Sequence, residues 1–326
     1  MKSRSNSKIT GLGVYLPDIK LTNYDLEKMV DTSDEWILRR TGVRERRLSG
    51  KEEFSSDMAV KAVQNLIERH NARVNDVDMI IVTTFTPDHL SPTVSALVQG
   101  HFGMERAGTM DINSGCTGFI YALCVADALI TTGNSNKILV IASETVSKVV
   151  DYTDRSTCVL FGDAAAAVLI ERSEEKGNFI TSYFTTNGEL AENVSCSNLS
   201  GSVNGKVLGK KRLFQQEGRF LYEYVAKNIP DAICTLAKKA ELTLDDIDWF
   251  VPHSANLRMI EAICRRLGFP IEKTLISNEF YGNTSSASIP LAVWIASEES
   301  KIKPGDKLML YGFGGGLTHG GIVVEW

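Results

Sequence analysis

Apolar positions along the chain follow two spacings that predict two kinds of secondary structure. Residues 58–70, "MAVKAVQNLIERH", repeat apolar positions every three or four residues, as the buried face of an α-helix requires. Residues 79–85, "MIIVTTF", and 137–143, "KILVIAS", are apolar runs of strand length. Alternation of amphipathic helices with buried strands predicts an α/β fold built from packed layers.

This pattern occurs twice in the chain. At a shift of 170 positions, "NDVDMIIV" aligns with "DDIDWFVP" and "NKILVIASE" aligns with "DKLMLYGFG". At nearly the same shift, Cys116 of "SGCTGFIYAL" lies close to Asn283 of "YGNTSSASIPLA", and each follows a glycine at a predicted helix start. We therefore predict two similar halves, with Cys116 and Asn283 as counterparts on two helix starts that face each other.

The junction between the halves is predicted within residues 171–178, "ERSEEKGN". There the apolar run "AAAAVLI" gives way to charged residues and glycine. The N-terminal half, residues 1–172, would carry Cys116, and the C-terminal half, residues 173–326, would carry His253 and Asn283.

Composition and charge exclude several classes of protein. Hydrophobic residues make up 43% of the 326 positions and charged residues 23%, which is ordinary for a globular protein. A net charge of −5 provides no overall basic field for nucleic acid or an anionic membrane. The first ten residues, "MKSRSNSKIT", contain no apolar run typical of a signal peptide. We therefore expect a cytoplasmic protein that binds neither nucleic acid nor membrane.

One of the six cysteines has a setting that favours chemistry. The six show neither a CxxC pair nor a Cys/His cluster with metal spacing, so we expect free thiols and no metal site. Cys116 follows Gly115 at a predicted helix start, where unpaired N–H groups and the helix dipole favour thiolate over thiol. A lowered pKa and a nucleophilic role are expected, although a buried structural cysteine is the alternative interpretation.

Three other positions have candidate chemistry. His253 follows an apolar strand and Pro252, where it can donate from Nε2 if local backbone holds its other ring nitrogen. Asn283 would ordinarily be a turn or helix-cap residue, but the repeat relates it to the candidate nucleophile. Gly315 lies in "YGFGGGLTHGG", residues 311–321, which is either a flexible hairpin or a source of backbone N–H groups for an oxyanion.

Together these motifs resemble the β-ketoacyl-acyl-carrier-protein synthase III family, which starts bacterial fatty-acid synthesis. The resemblance covers nearly the whole chain, in family order and spacing. Its motifs are "LTNYDLEKMVDTSDEWILRRTGVRERR", "TDRSTCVLFGDAAAAVL", "VPHSANLR", "YGNTSSAS" and "GFGGGLT". It implies a thiolase-like α/β fold, whose two similar halves form a five-layered αβαβα arrangement.

The resemblance also implies a mechanism. The family's Cys-His-Asn triad falls on Cys116, His253 and Asn283. Cys116 would attack an acyl-CoA thioester, with the N–H groups of Cys116 and Gly315 stabilising the oxyanion. His253 and Asn283 would then stabilise the enolate formed when malonyl-acyl-carrier protein loses CO2, and this enolate would attack the acyl-cysteine. The products are a β-ketoacyl-carrier protein, CoA and CO2, and no metal or organic cofactor is implied.

Substrate contacts follow from the same resemblance. Trp36 matches the indole that stacks on the adenine of CoA, and Arg155 matches the guanidinium on its other face. Other positions along the CoA tunnel match Thr32, Arg40, Gly218 and Asn256. Arg258 and Arg265 resemble a basic rim that receives the acidic carrier protein. The family's acyl pocket is closed across a homodimer interface, so a homodimer is expected.

Three positions depart from the family pattern. Ser91 stands where many bacterial members have a phenylalanine that closes the partner's acyl pocket, so a roomier pocket is expected. Glu223 replaces a docking lysine, and Tyr281 stands where histidine is common. The first two keep an alternative open, a related condensing or acyl-transfer enzyme of secondary metabolism.

Other classes fit the sequence less well. A thiolase needs a second catalytic cysteine near the end of the chain, and none follows Cys264. A papain-type hydrolase would normally show disulfides and an aromatic-rich nucleophile segment. A non-catalytic partner subunit would typically have lost the nucleophile.

Overall fold

The computed structural model of the protein describes residues 5–210 and 212–326. Residues 1–4, part of the segment behind the cytoplasmic expectation, lie outside the described residues. No helix in the described ranges has the length and apolar character needed to cross a membrane.

The strands in the described residues are β1 Ser7–Tyr15, β2 Ile19–Thr22, β3 Glu45–Leu48, β4 Met79–Thr83, β5 Gly108–Ile112, β6 Lys137–Glu144, β7 Ala164–Arg172, β8 Phe179–Thr186, β9 Val194–Cys196, β10 Ser202–Val203, β11 Lys206–Val207, β12 Phe214–Gln216, β13 Trp249–Pro252, β14 Lys307–Gly314 and β15 Thr318–Glu325. The α-helices there are α1 Asn23–Leu26, α2 Asp34–Thr41, α3 Ser55–His70, α4 Val94–Phe102, α5 Gly118–Thr131, α6 Arg155–Cys158, α7 Gly218–Ala240, α8 Leu257–Leu267, α9 Asn278–Tyr281 and α10 Ser288–Glu298.

Two mixed sheets form the frame of the molecule. The first has the strand order β1-β7-β6-β4-β5, and the second has the order β13-β14-β15-β8. In the first, β4 pairs in parallel with β5 and β6, whereas β7 is antiparallel to β6 and β1. The second repeats this pattern, with β13 parallel to β14 and β15 antiparallel to β14 and β8.

Both faces of each sheet are covered by helices. Alternate side chains of a strand point to opposite faces, so Ile138 and Val140 of β6 face α5 and α10, while Leu139 and Ile141 face α3 and α4. Helices α7 and α8 cover the outer face of the second sheet. The result is the predicted thiolase-like, five-layered αβαβα arrangement, which the structure confirms.

The repeat is visible as a constant offset between equivalent elements. β6 and β14 begin 170 positions apart, as do β4 and β13. Two 3₁₀ turns, Gly115–Thr117 before α5 and Ser285–Ala287 before α10, keep the same offset. The strands β1 and β4 to β7 lie within residues 1–172 and β8 and β13 to β15 within 173–326, the division that we continue to propose.

This register corrects one expectation from the sequence. The counterpart of Cys116 is Ser286, not Asn283, because both lie second in their 3₁₀ turns. The error came from aligning Gly115 with Gly282, which have different roles. Gly115 opens its turn with φ +50, whereas Gly282 follows α9 with φ +66.

A smaller cluster of buried side chains supports α1, α2 and α6. It includes Leu26, Ile37, Val150 and Phe161, and Trp36 packs against it. The fully buried guanidinium of Arg46 donates from Nη2 to Val159 O at 2.7 Å and from Nη1 to Asn23 Oδ1 at 2.8 Å. These bonds tie β3 to the start of α1 and to the residue that follows α6.

We predict that Gly13→Ala destabilises the protein by about 2–3 kcal/mol, because a rigid core cannot absorb an added methyl group. A Cβ at Gly13 would lie 2.6 Å from Ala62 O and against the backbone of Leu66 in α3. The matched control is Gly100→Ala at an exposed position of α4, where nothing lies within 4 Å of the added Cβ and alanine favours the helix by up to about 1 kcal/mol. Calorimetric unfolding of both variants measures the difference, and equal transition temperatures would contradict the prediction.

Candidate active site

One cavity opens between the two helix starts. It encloses about 540 Å³, including its opening to solvent, and the four predicted reactive positions line it: Cys116, His253, Asn283 and Gly315. Its other walls are mainly apolar, formed by Phe161, Val194, Phe214, Leu221, Tyr224, Val225, Met259 and Phe313 among others. The structure therefore brings these four residues together, although 137 positions separate Cys116 from His253 in the sequence.

Cys116 occupies the middle of the 3₁₀ turn that leads into α5. Strand β14 passes directly beside it, and a Cβ at Gly314 would lie 2.9 Å from Cys116 Cβ and 3.2 Å from its Sγ. Only glycine leaves room for the sulfur there. Gly118, at the start of α5, serves packing against Thr83 rather than approach of a substrate, since a Cβ there would collide with that side chain.

The expected lowering of the thiol pKa is not what the structure gives. Burial is the main cause that raises the pKa of Cys116 to about 12; a hydrogen bond from Ser285 acts to lower this pKa, and the negative charge of Glu144 acts to raise it. Taking a charge out of water disfavours its ionised form, and here that effect exceeds the benefit of the helix start. Cys116 is therefore a thiol at neutral pH and needs a group to accept its proton.

His253 follows β13 and is buried. Its backbone N–H donates to Tyr311 O at 2.8 Å, and its ring packs edge-on against Phe313. Nδ1 lies 2.7 Å from Ser288 Oγ, so a hydroxyl from α10 holds this nitrogen rather than the local backbone that we expected. Burial lowers the pKa of His253 to about 3, so the ring is neutral at physiological pH.

The contacts of Ser288 are the basis on which we assign the tautomer of His253. Ser288 Oγ accepts the N–H of Ser254 at 3.3 Å, and we assign the proton of Ser288 to the 2.7 Å contact with Nδ1 of His253. The neutral ring then carries its proton on Nε2. His253 is thus arranged as a neutral donor.

Asn283 is oriented with its amide nitrogen as the remaining donor. Its Oδ1 accepts the backbone N–H of Ser285 at 2.9 Å, and the backbone N–H of Asn283 donates to Leu160 O at 2.8 Å. Fixing Oδ1 in this way leaves Nδ2, in a side chain that borders the cavity, to donate. His253 and Asn283 together offer two neutral N–H donors to a negative charge that develops in the cavity.

Four supporting residues were missed by the sequence analysis. Glu144 ends β6 and hydrogen-bonds Ser285 and Ser286, and Ser288 orients His253. A carboxylate that continues the buried apolar run "KILVIAS" was a usable signal, because buried carboxylates are rare unless they are functional. The serines of "NTSSAS" gave no comparable signal.

The predicted adenine-binding pair meets on the protein surface. Arg155 Cζ lies 4.9 Å from the centre of the Trp36 ring, and Arg155 also donates to Asp31 O at 2.6 Å. The two side chains are therefore adjacent, as the resemblance implied, but the guanidinium lies over the indole itself. Thr32, just before α2, has a buried Oγ1 without a hydrogen-bond partner in the protein.

The remaining predicted contacts are not among the residues that line the cavity. Asn256 caps α8 through Oδ1, which accepts Arg258 N–H at 2.9 Å, and Arg258 Nε donates to Arg39 O in α2 at 2.7 Å. Arg40 is exposed at the end of α2, and Gly218 is exposed at the start of α7. Arg265 lies two helical turns after Arg258 on the same face of α8 and is exposed.

The three positions that differ from the family pattern, Ser91, Glu223 and Tyr281, do not line this cavity. Ser91 is exposed on the segment between β4 and α4, next to Leu90, whose exposed fraction is 69%. Glu223 is exposed on α7 and pairs with Arg219 at 2.9 Å. Tyr281 ends α9.

Comparison with known proteins follows this geometry. Residues 110–188 match the family model of 3-oxoacyl-[acyl-carrier-protein] synthase III, and residues 237–326 match the model of its C-terminal part. A β-ketoacyl-[acyl-carrier-protein] synthase III of Bacillus subtilis is 51% identical over 99% of this chain and 99% of its own.

Solved structures give the same result. A synthase III from Thermus thermophilus has a TM-score of 0.94 at 40% identity, covering 98% of this chain and 99% of its own. The priming β-ketosynthase of the R1128 polyketide pathway has a TM-score of 0.91 at 29% identity, covering 100% of this chain and 97% of its own.

We predict that the His253 imidazole stays neutral, with its proton on Nε2, from pH 8 down to pH 5. Its pKa of about 3 lies well below the ordinary value because the ring is buried. Between the two pKa values the unfolded chain binds a proton that the folded protein does not, so His253 lowers stability as pH falls below about 6.5. Nitrogen-15 shifts of labelled histidine measure both the charge of the ring and the nitrogen that carries its proton.

The matched variant for that measurement is Ser288→Ala. Losing the hydroxyl that donates to Nδ1 should allow the proton to redistribute between the two ring nitrogens. A titration of His253 with a midpoint near 6.5 in the wild-type protein would contradict the assignment.

Proposed function

The chain belongs to the 3-oxoacyl-[acyl-carrier-protein] synthase III family, and we propose that it performs the family's decarboxylative condensation with Cys116, His253 and Asn283. The enzyme is an acyltransferase that condenses an acyl-CoA with malonyl-acyl-carrier protein in the initiation of fatty-acid synthesis. The observation that carries the assignment of residues is that a thiol and two neutral N–H donors line the same cavity.

In the first half-reaction, Cys116 attacks the thioester carbonyl of acyl-CoA and CoA leaves. The negative oxygen of the tetrahedral intermediate is stabilised by the N–H groups of Cys116 and Gly315. The closeness of these two backbone segments supports this role, since the Cβ position of Gly115 lies 3.9 Å from Gly315 N. The acyl group remains on sulfur.

In the second half-reaction, malonyl-acyl-carrier protein loses CO2 and its enolate attacks the acyl-cysteine. Nε2 of His253 and Nδ2 of Asn283 stabilise the enolate oxygen. Their fixed orientation supports this role, because donors held in place before the reaction stabilise an oxygen whose negative charge grows in the transition state. Two preorganised donors and a departing CO2 supply the chemistry, so we propose that no cofactor takes part.

CoA binds along the surface between α2, α6 and α8. The adenine would stack with Trp36 and Arg155, and Thr32, whose Oγ1 has no hydrogen-bond partner in the protein, would lie along the same path. Arg40, Gly218 and Asn256 would line the rest of the path toward Cys116. The exposed face of α8 with Arg258 and Arg265 would receive the acidic carrier protein.

A homodimer would complete the acyl pocket. Strand β5 forms an edge of the first sheet, and its N–H and C=O groups on that side are suited to pairing with a second copy. Ser91 and the exposed Leu90 lie outside the cavity of their own chain. They would therefore border the acyl chain bound by the partner.

The triad assignment predicts separable defects. Cys116→Ala should abolish acylation and condensation, whereas His253→Ala and Asn283→Ala should retain substantial acylation and lose at least about 100-fold in condensation. Intact-mass labelling with acyl-CoA measures acylation, and malonyl-dependent product measures condensation. Cys124→Ala, later in α5, is the cysteine control and should label normally. Normal labelling of Cys116→Ala would disprove the assignment of the nucleophile.

The proposed position of Ser91, at the acyl pocket of the partner in a homodimer, predicts which acyl-CoA primers the enzyme accepts. With a small side chain at the pocket, branched or medium-length acyl-CoA should be accepted at least as well as acetyl-CoA. Each additional buried methylene gains roughly 0.8 kcal/mol, about fourfold in kcat/KM. Ser91→Phe should shift the preference to the shortest primers without altering malonyl use, and Ser91→Ala should not. Competition between acetyl-CoA and longer primers measures this, and an unchanged order in Ser91→Phe would show that Ser91 does not border the pocket.

A further inference from the structure

Glu144 is a fully buried carboxylate beside the nucleophile, and the reaction described above gives it no role. Its Oε2 accepts bonds from Thr84 Oγ1, Phe85 N and Thr86 Oγ1, each at 3.1 Å. Its Oε1 accepts from Ser286 Oγ at 2.7 Å and Ser285 Oγ at 3.1 Å. All five partners are neutral hydroxyl or backbone N–H groups, so they solvate a carboxylate without cancelling its charge.

Ser285 connects this carboxylate to the reactive sulfur. Its Oγ lies 3.1 Å from Glu144 Oε1 and 3.5 Å from Cys116 Sγ. The hydroxyl has one proton, and ionised Glu144 is the nearer and stronger acceptor. When Glu144 is ionised, a lone pair of Ser285 Oγ therefore faces Cys116 and can accept the thiol proton.

The backbone of Ser285 is unusual for a serine. It has φ +51 in the left-handed region, which residues other than glycine adopt uncommonly. Its counterpart in the repeat is Gly115, with φ +50. A serine held in a conformation that suits glycine, with its hydroxyl between two titratable groups, indicates that the hydroxyl is required there.

We propose that Glu144, a positioning residue acting through Ser285, takes up the proton of Cys116 during acylation and returns it during condensation. The inference rests on the proposed function for the identity of the acyl group. As the S–C bond to the acyl carbon forms, the thiol proton passes to Ser285 Oγ, and the proton of Ser285 passes to Glu144 Oε1. The bond between carbon and the CoA sulfur then breaks, and CoA takes a proton from solvent.

The condensation reverses this path. When the enolate carbon bonds to the acyl carbon, the bond to Cys116 Sγ breaks and sulfur leaves as thiolate. Glu144 then gives its proton to Ser285 as Ser285 gives its own to Sγ. The enzyme returns to its starting state, and the overall reaction consumes one proton, the one taken from solvent by CoA.

The acidities of the neighbouring groups fit this exchange. Burial raises the pKa of Glu144 to about 7 and that of Cys116 to about 12. Glu144 is thus available as an acceptor near neutral pH, whereas His253, with a pKa of about 3, is a poor one. Because the thiol is much the weaker acid, its proton moves as the S–C bond forms rather than beforehand.

The groups that contact Glu144 allow a pH dependence near pH 7 to be assigned to its carboxylate. The segment after β4 presents hydroxyls and one backbone N–H, and the turn Ser285–Ala287 presents two hydroxyls. The titratable group that faces Glu144 from the turn Gly115–Thr117 is Cys116 itself. A pH dependence of thiol reactivity near pH 7 can therefore be traced to Glu144.

The test is the rate at which iodoacetamide alkylates Cys116 between pH 5 and 10, followed by intact mass. It needs neither acyl-CoA nor malonyl substrate, so its outcome is separate from the proposed function. Wild-type reactivity should rise with the ionisation of Glu144, with a midpoint near pH 7, and then level off. Glu144→Gln should abolish this rise and slow alkylation at pH 8 by about 100-fold, a size typical of general-base assistance.

A purely electrostatic role makes the opposite prediction. The charge of Glu144 raises the pKa of Cys116, so removing that charge alone would produce more thiolate and faster alkylation. Faster alkylation of Glu144→Gln, or a profile equal to the wild type, would overturn the proposal. If Glu144→Gln does not fold, Ser285→Gly decides, since glycine suits φ +51 and only the hydroxymethyl group is lost.

Three matched variants complete the experiment. Ser285→Gly should lose the rise as Glu144→Gln does. Ser286→Ala removes a donor to the same Oε1 but no contact to sulfur, so the rise should persist with its midpoint at higher pH. Asp163→Asn neutralises another buried carboxylate, bonded to Ser147 and to the N–H of Ser49, and should leave the profile unchanged. Equal losses in Ser285→Gly and Ser286→Ala would rule out the path through Ser285.

Discussion

The packing of α5 and α10 between two sheets is the constraint on which the active site depends. A helix covered on both sides has no solvated face, which is why "GFIYALCVADALIT" and "SIPLAVWIASE" are apolar almost throughout. Polar groups in this layer are concentrated at the two helix starts, where backbone N–H groups lack partners within the helix. Because the starts contact each other, the thiol, the neutral histidine and the buried carboxylate share one small polar region.

Burial in that region determines which protonation states the groups adopt. It raises the pKa of Cys116 and Glu144 and lowers that of His253, so each group favours its neutral form. A neutral histidine suits an enolate, because it donates without being converted to imidazolium. A protonated thiol does not suit attack on a thioester. The same burial that prepares the second half-reaction therefore makes proton removal the chemical requirement of the first.

The sequence predicted the repeated architecture well because the signal was local. Runs such as "KILVIAS" identify strands, and the shift of 170 positions relates whole elements of the two halves. It failed where two distant segments determine the chemistry. The thiol acidity depends on the environment created by Glu144 and Ser285, which are 141 positions apart, and Ser288 holds His253 from another element. The Cys116–Asn283 alignment failed because matching glycines had different backbone roles.

The two halves have the same backbone frame, but at two equivalent positions one half has a functional side chain and the other has a glycine. Gly115 and Ser285 share a position and a backbone conformation, yet only the second half places a hydroxyl there. Glu144 and Gly314 share the last position of β6 and β14, yet a side chain at Gly314 would collide with Cys116. The first half thus supplies the sulfur and the carboxylate, and the second supplies donors and the space in which sulfur can react. At these two positions the duplicated frame is asymmetric, because the side chain on one side is matched by a glycine on the other.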